Sequence, residues 1–371
     1  MNVTVHFAED LIAQILDRLP VRDLLRFRCV SKPWCSLIDS PRFIRAHLKR
    51  STECKTNTGV LIRSFHAYLA DFDSLDGTTA VEIDEPLRTL LQGTGVVGSC
   101  NGLLCLYEKK TEIFFWNPAT RNCKELPCAP TDFFGGLEGH SLSLKSNSWR
   151  RLQSISNHFK LISNCGVFVG GALHWITITT LGSESCLSVL AFDLAVENQR
   201  EVPMPNVGNK NPDKRSLSIF AESLCVVIHD PFVSIDVWLM NEYGVGNSWC
   251  KLFSLEHPQL VRSQYVTPVA FSKSRRDVLV EVGDKKVIWY SLERKEIRTV
   301  KIANMPVVFD GLELFTESLV PPDYIFSCDG KQSREKQKQK QKKQQNRNER
   351  GLKIIGKFPS LKFCRGMSLR A

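Results

Sequence analysis

The chain of 371 residues has two different hydrophobic periods, which separate near residue 57. Up to residue 50, apolar side chains recur three and four positions apart, which is the spacing of one face of an α-helix. Leu11, Ile12, Ile15, Leu16 and Leu19 form the first such set, and Pro20 then ends this helix and can open the next. The pattern therefore predicts a helical segment at the start of the chain.

Two more helices in residues 8–50 are predicted from the residues that begin them. Ser31 precedes Pro33 and Ser40 precedes Pro41. Serine caps a helix by accepting from backbone N–H groups of the first turn, where proline is also tolerated. We expect three or four short helices here, a domain too small to bury all its apolar side chains alone. They either cap the next domain or dock a partner.

After residue 57 the helical period gives way to short apolar runs, each followed by a polar turn and a second strand. Such β-hairpins are predicted over residues 112–127, 142–153, 189–203, 236–255 and 286–302. Another strand pair precedes most of them, over residues 98–107, 168–177, 221–230 and 276–284. Four strands in a unit of roughly 45–50 residues are typical of a β-propeller blade.

The repeat can be measured between equivalent residues of the hairpins. Phe192 and Leu239 are 47 positions apart, and Leu239 and Tyr290 are 51 apart. Trp116 takes the same place in an earlier unit, and residues 68–83 around Phe72 read as a weaker copy. Residues 131–140 are too short to hold the strand pair expected before the 142–153 hairpin. The pattern predicts about six blades, one of them truncated.

Composition is typical of a soluble globular protein, with 43% hydrophobic and 24% charged residues. The most apolar stretch, residues 165–178, has 14 residues and is too short to cross a bilayer. We expect no signal peptide and no membrane partner. The 13 cysteines include no C-x-x-C pair, which favours reduced thiols in the nucleus and/or the cytoplasm over zinc ligands.

The net charge of +10 lies in the C-terminal segment. Residues 331–371 contain 14 Lys and Arg against two acids, while the rest of the chain carries a net charge of −2. The folded part is therefore not expected to bind nucleic acid. The Lys/Gln-rich run over residues 331–350 predicts a disordered tail. A nuclear-import signal, an RNA contact or a plain solvated tail all remain open there.

No catalytic motif is found. The sequence has no phosphate-loop, serine-hydrolase or H-E-x-x-H motif, and its eight histidines have no ligand spacing. His174 lies in an apolar strand and is expected to be a core residue. The glycine-rich residues 93–102 precede a strand, so they lack the helix N-terminus that holds a phosphate. We predict no catalytic residue, no metal and no cofactor.

Residues 9–43 read EDLIAQILDRLPVRDLLRFRCVSKPWCSLIDSPRF. This segment resembles the F-box motif of plant F-box proteins, which implies docking of a Skp-family adaptor and, through it, a cullin scaffold. Phe7-Ala8 stands where the family usually has Leu-Pro. The resemblance assigns adaptor binding to the following residues, some of which are instead expected in the module's own core: Phe7, Leu11, Ile12, Ile15, Leu16, Leu19, Pro20, Leu24, Leu25, Val30, Ser31 and Trp34.

Four later segments read GSCNGLLCL (98–106), WNPATRNCKELP (116–127), SLKSNSWRRLQ (143–153) and AFDLAVENQREVPMP (191–205). They resemble the type 1 F-box-associated interaction domain, a kelch-like propeller that recruits substrates. The family's Gly-Phe-Gly-Tyr-Asp type strand pair is missing between the second and third. Target contacts are expected from loops, and the candidates are Asn117–Asn122, Asn206–Arg215 and Asn241–Asn247.

Together these observations predict an α+β multidomain protein. A small all-α F-box (residues 1–50) precedes an all-β kelch-like β-propeller (residues 58–327) and a disordered basic tail (residues 331–371). The resemblance implies a non-catalytic substrate-recognition subunit of an SCF-type E3 ubiquitin ligase, whose protein substrate the sequence does not identify. Two alternatives are open: an adaptor-binding protein that is truncated or has no target, and a nucleic-acid-associated protein acting through its tail.

Overall fold

The structure is a computed structural model, and we describe the part of the chain given by these ranges: 9–64, 66–83, 95–108, 112–128, 140–143, 146–152, 159–161, 166–181, 184–207, 215–230, 233–263, 266–283, 286–307, 309, 311–323 and 353–356. It divides into two compact units. Unit 1 comprises Met1–Leu126, Glu281–Trp289 and Arg298–Arg334, and unit 2 comprises Pro127–Val280, Tyr290–Ile297 and Glu335–Ala371.

Unit 1 begins with four helices, α1 (Glu9–Leu16), α2 (Val21–Phe27), α3 (Lys32–Ile38) and α4 (Pro41–Cys54), which we call the helical module. The predicted start signals are confirmed. Ser31 accepts from the backbone N–H of Trp34 at 3.3 Å, and Ser40 accepts from that of Phe43 at 3.2 Å. Pro20 is the residue immediately before α2. These caps keep the helices short and let the chain reverse between them.

Two four-stranded antiparallel sheets complete the regular structure that lies wholly in unit 1. The first has the order β23-β1-β2-β3, and the second has the order β4-β5-β6-β7. Their strands are β1 (Thr58–Arg63), β2 (Ala67–Asp71), β3 (Val81–Ile83), β4 (Gly95–Cys100), β5 (Leu103–Glu108), β6 (Glu112–Asn117), β7 (Asn122–Glu125) and β23 (Gly311–Thr316). The late strand β23 thus pairs with β1, the first strand of the chain.

Two sheets of unit 2 have four or more strands. The first has the order β10-β12-β13-β14, and β11 also pairs with β12; the second has the order β15-β16-β17-β18. A three-stranded sheet has the order β24-β8-β9. The strands are β8 (His140–Ser143), β9 (Ser148–Arg151), β10 (Phe159–Leu161), β11 (Val167–Val169), β12 (Ala172–Leu181), β13 (Glu184–Asp193), β14 (Asn198–Val202), β15 (Arg215–Phe220), β16 (Ser223–Asp230), β17 (Ser234–Met240), β18 (Trp249–Leu255) and β24 (Lys353–Gly356).

One more sheet, β19-β20-β21-β22, has residues in both units. Its strands are β19 (Val266–Phe271), β20 (Asp277–Val282), β21 (Lys286–Ser291) and β22 (Ile297–Thr299), and a short helix, α5 (Pro258–Val261), precedes it. The predicted repeat is confirmed strand by strand. Trp116, Phe192, Leu239 and Tyr290 lie in β6, β13, β17 and β21, the third strand of each sheet.

The sheets are the blades of a β-propeller, in which four antiparallel strands form each blade. Within the described part of the chain, five sheets have at least four strands, and the sixth has three. That sixth sheet contains the hairpin for which the sequence pattern predicts a truncated blade. Its remaining strand, β24, comes from residues 331–371, so the prediction that this whole segment is disordered is corrected for Lys353–Gly356, which pairs with β8.

Six tryptophans lie in strands of the blades. Trp116 and Trp175 are almost fully buried, and Trp249 and Trp289 are buried to a lesser degree. Trp149 and Trp238 are half-buried. Trp249 donates its Nε1–H to the Pro203 carbonyl at 2.8 Å, which satisfies the polar atom of a large apolar ring. Tryptophans in the second, third and fourth strands of the sheets thus supply interior side chains of the blades.

None of the helices in the described ranges has the length and apolarity needed to cross a membrane.

Candidate adaptor-binding surface

Helix α1 presents apolar side chains on two opposite sides. Leu16 is buried, with only 1% of its surface exposed, whereas Leu11 and Ile15 are 49% and 57% exposed. Residues four positions apart on a helix lie on the same face, so Leu11 and Ile15 form one apolar strip. The helix therefore contributes one side to the core of the module and leaves the other in solvent.

Two more of the predicted adaptor contacts are exposed. Val30, just after α2, is 58% exposed, and Pro20 at the start of α2 is also exposed. We refer to Leu11, Ile15, Pro20 and Val30 as the exposed apolar set. Single apolar residues on a surface need no explanation, but four exposed apolar residues within a module of 46 residues indicate a surface suited to binding another protein.

The other predicted contacts are held by the module itself. Leu16 and Leu24 are buried in its core, so in this conformation they act as core residues. Ser31 uses its hydroxyl to cap α3. The half-buried members pack against the core: Ile12, Leu19, Leu25 and Trp34. Phe7 lies outside the described residues, and adaptor binding by the whole set stays a prediction.

His47 joins α4 to the turn after α1, a role that the sequence pattern did not indicate. The imidazole is fully buried, and its Nε2 lies 2.9 Å from the Leu19 carbonyl oxygen. The ring stacks on that of Phe43 with centroids 6.1 Å apart. A lone histidine carries no spacing signal, so only the packing shows that it holds the end of α1 in place.

The helical module shares one hydrophobic core with the sheets of unit 1. Leu16, Val21 and Leu24 belong to the same buried cluster as Leu103 on β5 and Leu319 after β23. The surplus apolar surface expected from the sequence is therefore divided between an intramolecular contact and the exposed apolar set. The shared core corresponds to the first interpretation of the sequence, a cap on the next domain. The exposed apolar set corresponds to the second interpretation, a docking module.

Asn117 at the end of β6 holds the segment Ser318–Val320, which adjoins the core shared by the helical module and the blades; we call this region the junction. Its Nδ2 donates to the carbonyls of Ser318 and Val320 at 2.9 and 2.8 Å. Its Oδ1 accepts from the backbone N–H groups of Ala119 and Thr120 at 3.0 and 3.2 Å. The side chain is fully buried. Asn117 is therefore a structural residue, whereas Arg121 and Asn122 of the predicted Asn117–Asn122 loop are exposed, and target binding by this loop stays a prediction.

Glu317 lies in the same segment, between β1 and the helical module. Its backbone N–H donates to the Asn57 carbonyl at 2.7 Å. Burial and the nearby carboxylate of Asp71 raise the pKa of Glu317 to about 7, while Arg22 on α2 opposes part of this rise. The junction therefore contains a carboxyl group that titrates near neutral pH.

Of the other two loops predicted to contact the target, the structure describes one completely and the other only in part. Residues 208–214 of the Asn206–Arg215 loop lie outside the described part. The Asn241–Asn247 loop is described, and Asn241, Glu242 and Asn247 in it are exposed. Ser248 donates to the carbonyls of Glu242 and Val245 at 2.7 Å each, which fixes the loop backbone. This loop stays a candidate for target contacts.

The histidine predicted as a core residue, His174, is fully buried on β12. Its Nδ1 lies 3.0 Å from the Val167 carbonyl oxygen, and its Nε2 lies 2.6 Å from the Tyr243 hydroxyl. Burial lowers the pKa of His174, and the positive charge of Arg200 adds to this effect. The arrangement favours a neutral imidazole that connects two blades of unit 2.

We expect His174 to make unit 2 less stable in acid. The pKa of His174 is lowered in the folded state. The stabilising effect of the neutral imidazole is therefore complete above about pH 6.5, the ordinary pKa of histidine, and is lost as the pH falls. The wild type should therefore lose stability relative to His174→Gln between pH 7.5 and pH 5. Thermal unfolding of both proteins at each pH measures this difference.

Cysteines and metal ligands form no reactive cluster in the part of the chain that is described. Burial raises the pKa of Cys105 and of Cys225 to about 12, so these thiols stay protonated. Among the described residues there is no group of three or more His, Cys, Asp or Glu side chains that could hold a metal ion. Cys105 and Cys225 therefore serve as small core side chains.

Known proteins share both parts of this architecture. The family model of the F-box domain matches residues 6–46, and that of the F-box associated beta propeller domain matches residues 140–321. The F-box protein CPR1 of Arabidopsis thaliana is 31% identical over 84% of this chain and 88% of its own length. An F-box/kelch-repeat protein of the same plant is 26% identical over 66% of this chain and 78% of its own length.

These matches agree with the structure in the order and nature of the two parts. The F-box match covers α1 to α3 and the first part of α4 and includes the exposed apolar set, and the propeller match begins at the hairpin of β8 and β9 and extends beyond β23. The identity to one relative extends over most of both chains. This chain belongs to the F-box proteins that carry an F-box associated β-propeller domain.

Proposed function

We propose that this chain is the substrate-recognition subunit of an SCF-type E3 ubiquitin ligase. F-box domains in general bind adaptors of the Skp type. The observation that carries the proposal is the exposed apolar set, which includes the Leu11–Ile15 strip on α1. Burying this surface against an adaptor stabilises a complex by about 25 cal/mol per Å² of apolar area before the costs of association.

In this role the propeller binds a protein target and performs no chemistry itself. The ligase accelerates ubiquitin transfer because a target lysine and a charged ubiquitin are held close together, which lowers the entropic part of the barrier. We place the complex in the nucleus or the cytoplasm. The cysteines that the structure describes are free thiols, which suits a reducing compartment.

The junction between the F-box and the first blades supports such a positioning role. The buried cluster connects both parts within unit 1, and Asn117 holds the Ser318–Val320 segment, whose Leu319 and Val320 belong to that cluster. A substrate receptor acts best when its adaptor contact and its target contact have a fixed separation. A shared core restricts this separation more than a solvated linker does.

Ile15→Glu is expected to weaken adaptor binding by at least about 100-fold, because it removes an apolar contact and brings an unpaired charge into the interface. Ile15 is 57% exposed, so the free protein should keep its thermal stability. Calorimetric titration of the full chain with a purified plant Skp adaptor measures the effect.

Gln14→Glu is the matched control, since Gln14 is exposed on the same helix and gains the same charge. Its affinity should stay within a few-fold of the wild type. Equal affinities of the wild type and Ile15→Glu would show that the adaptor uses another surface. A wild-type chain that does not bind the adaptor would contradict the proposed function itself.

A further inference from the structure

An open groove of about 570 Å³ lies in unit 1 and uses no residue of the F-box. Its walls are the start of β21, the end of β22 with the chain that follows, and the turn after Asp76. A volume of this size falls within the range of about 300–1,000 Å³ found for ligand sites. Nothing in the account of the F-box explains this groove.

Backbone hydrogen bonds hold the walls of the groove together. The N–H of Gly77 donates to the Lys301 carbonyl at 2.9 Å, and the N–H of Ala303 donates to the Thr78 carbonyl at 2.9 Å. On the strand side, the N–H of Val300 donates to the Val287 carbonyl at 3.1 Å. The groove is thus formed by paired backbone segments.

The lining combines positive charge with apolar surface. Lys286 and Lys301 are exposed, and none of the described lining residues is acidic. Val307 at the groove is 89% exposed, an unusual degree for a valine side chain. The remaining side chains supply apolar surface or hydroxyl groups: Thr78, Val287, Thr299, Val300, Ile302, Ala303, Met305 and Pro306.

The carboxylate that adjoins the groove, Asp76, already has partners. It forms an ion pair with Arg298 and accepts from the backbone N–H of Lys301 at 3.4 Å. Because the Arg298 guanidinium balances this carboxylate, the charges of Lys286 and Lys301 are in excess among the described residues of the groove. Charge complementarity therefore favours an occupant with carboxylates.

We propose that this groove binds an acidic peptide segment of the protein target, with carboxylates near Lys286 and Lys301 and an apolar side chain against Val307. The inference rests on the proposed function, because it names the kind of target segment that the receptor would recognise. The groove is open rather than enclosed, which suits a peptide segment better than a small molecule that needs an enclosed site. Thr78 and Thr299 offer hydroxyl groups to its backbone.

The test uses a phage-displayed library of random dodecapeptides selected on the immobilised full chain. Enriched peptides should carry net negative charge together with apolar residues. Synthetic, fluorescein-labelled copies should lose at least tenfold in affinity on the double variant Lys286→Glu, Lys301→Glu, and they should also weaken on Val307→Ser. Arg294→Glu, a charge reversal on an exposed turn, is the control and should bind like the wild type.

The proposal is overturned if the library yields no peptide, if it yields neutral or basic ones, or if the double variant binds the acidic ones as well as the wild type does. Adaptor binding is measured on the same preparations. A double variant that binds the adaptor normally and has lost the peptides supports the groove. A chain that binds the peptides but no adaptor retains the groove and rejects the ligase role.

Discussion

Replacing Asn117 with alanine is expected to lower the free energy of unfolding by about 3 kcal/mol, since each buried polar group left unpaired costs about 1–3 kcal/mol. Two carbonyls, those of Ser318 and Val320, lose their donor, and the N–H groups of Ala119 and Thr120 lose their acceptor. The junction between the F-box and the blades should open first, because these four groups lie there.

Urea unfolding followed by tryptophan fluorescence measures the loss. Asn122→Ala removes the same atoms from an exposed position on the neighbouring strand, and it should change stability by less than about 0.5 kcal/mol. Asn117→Asp should not restore stability, because a carboxylate cannot donate to the two carbonyls. If Asn117→Ala is as stable as Asn122→Ala, the buried amide does not hold the junction.

Glu317→Gln is expected to stabilise the protein at pH 8 and to have little effect at pH 5. The folded pKa of about 7 lies above the ordinary value of 4.5, so the folded state holds a proton through this window. Stability therefore falls as pH rises from 4.5 to 7, and the ionised group destabilises the fold above pH 7. The full shift corresponds to about 3 kcal/mol, at 1.36 kcal/mol for each pKa unit.

The comparison is made between the variant and the wild type at each pH, because His174 changes stability in the opposite direction over part of the same range. Glu293→Gln, at an exposed turn position, is the control and should show no gain at pH 8. A stability difference between Glu317→Gln and the wild type that is the same at pH 5 and pH 8 would mean that Glu317 is ionised in the fold throughout.

Local signals explain the parts of the fold that could be predicted. Ser31 and Ser40 act as caps through their own hydroxyl groups, so two helix starts follow from short segments. The propeller repeat was readable because four of the sheets have a large apolar side chain at the same place in their third strand. Phe192 and Tyr290 are two such residues, and both are buried.

The features that could not be predicted depend on residues far apart in the chain. Ile15 and Leu16 are neighbours of similar hydrophobicity, yet one is 57% and the other 1% exposed. Their burial is decided partly by Leu103 and Leu319, which share the core of the helical module. The pairing of β23 with β1 likewise joins distant segments and leaves no periodic signal in either.

The adaptor-binding site was predicted as a set of residues, and the structure separates this set into core residues and exposed residues. The F-box resemblance depends on residue order, and order alone does not tell a core leucine from a surface one. Residues that bind the target were even harder to predict from the sequence, because binding residues in a propeller lie in loops without a fixed period. Asn117 was named there for its turn position and proved to be buried.

Hydrogen–deuterium exchange of the full chain with and without a Skp adaptor tests the central claim most directly. Slower exchange is expected in α1 around Leu11 and Ile15 and in the turn around Val30, with exchange in the blades unchanged. Protection confined to the blades, or no protection anywhere at saturating adaptor, would contradict a receptor that docks through the exposed apolar set.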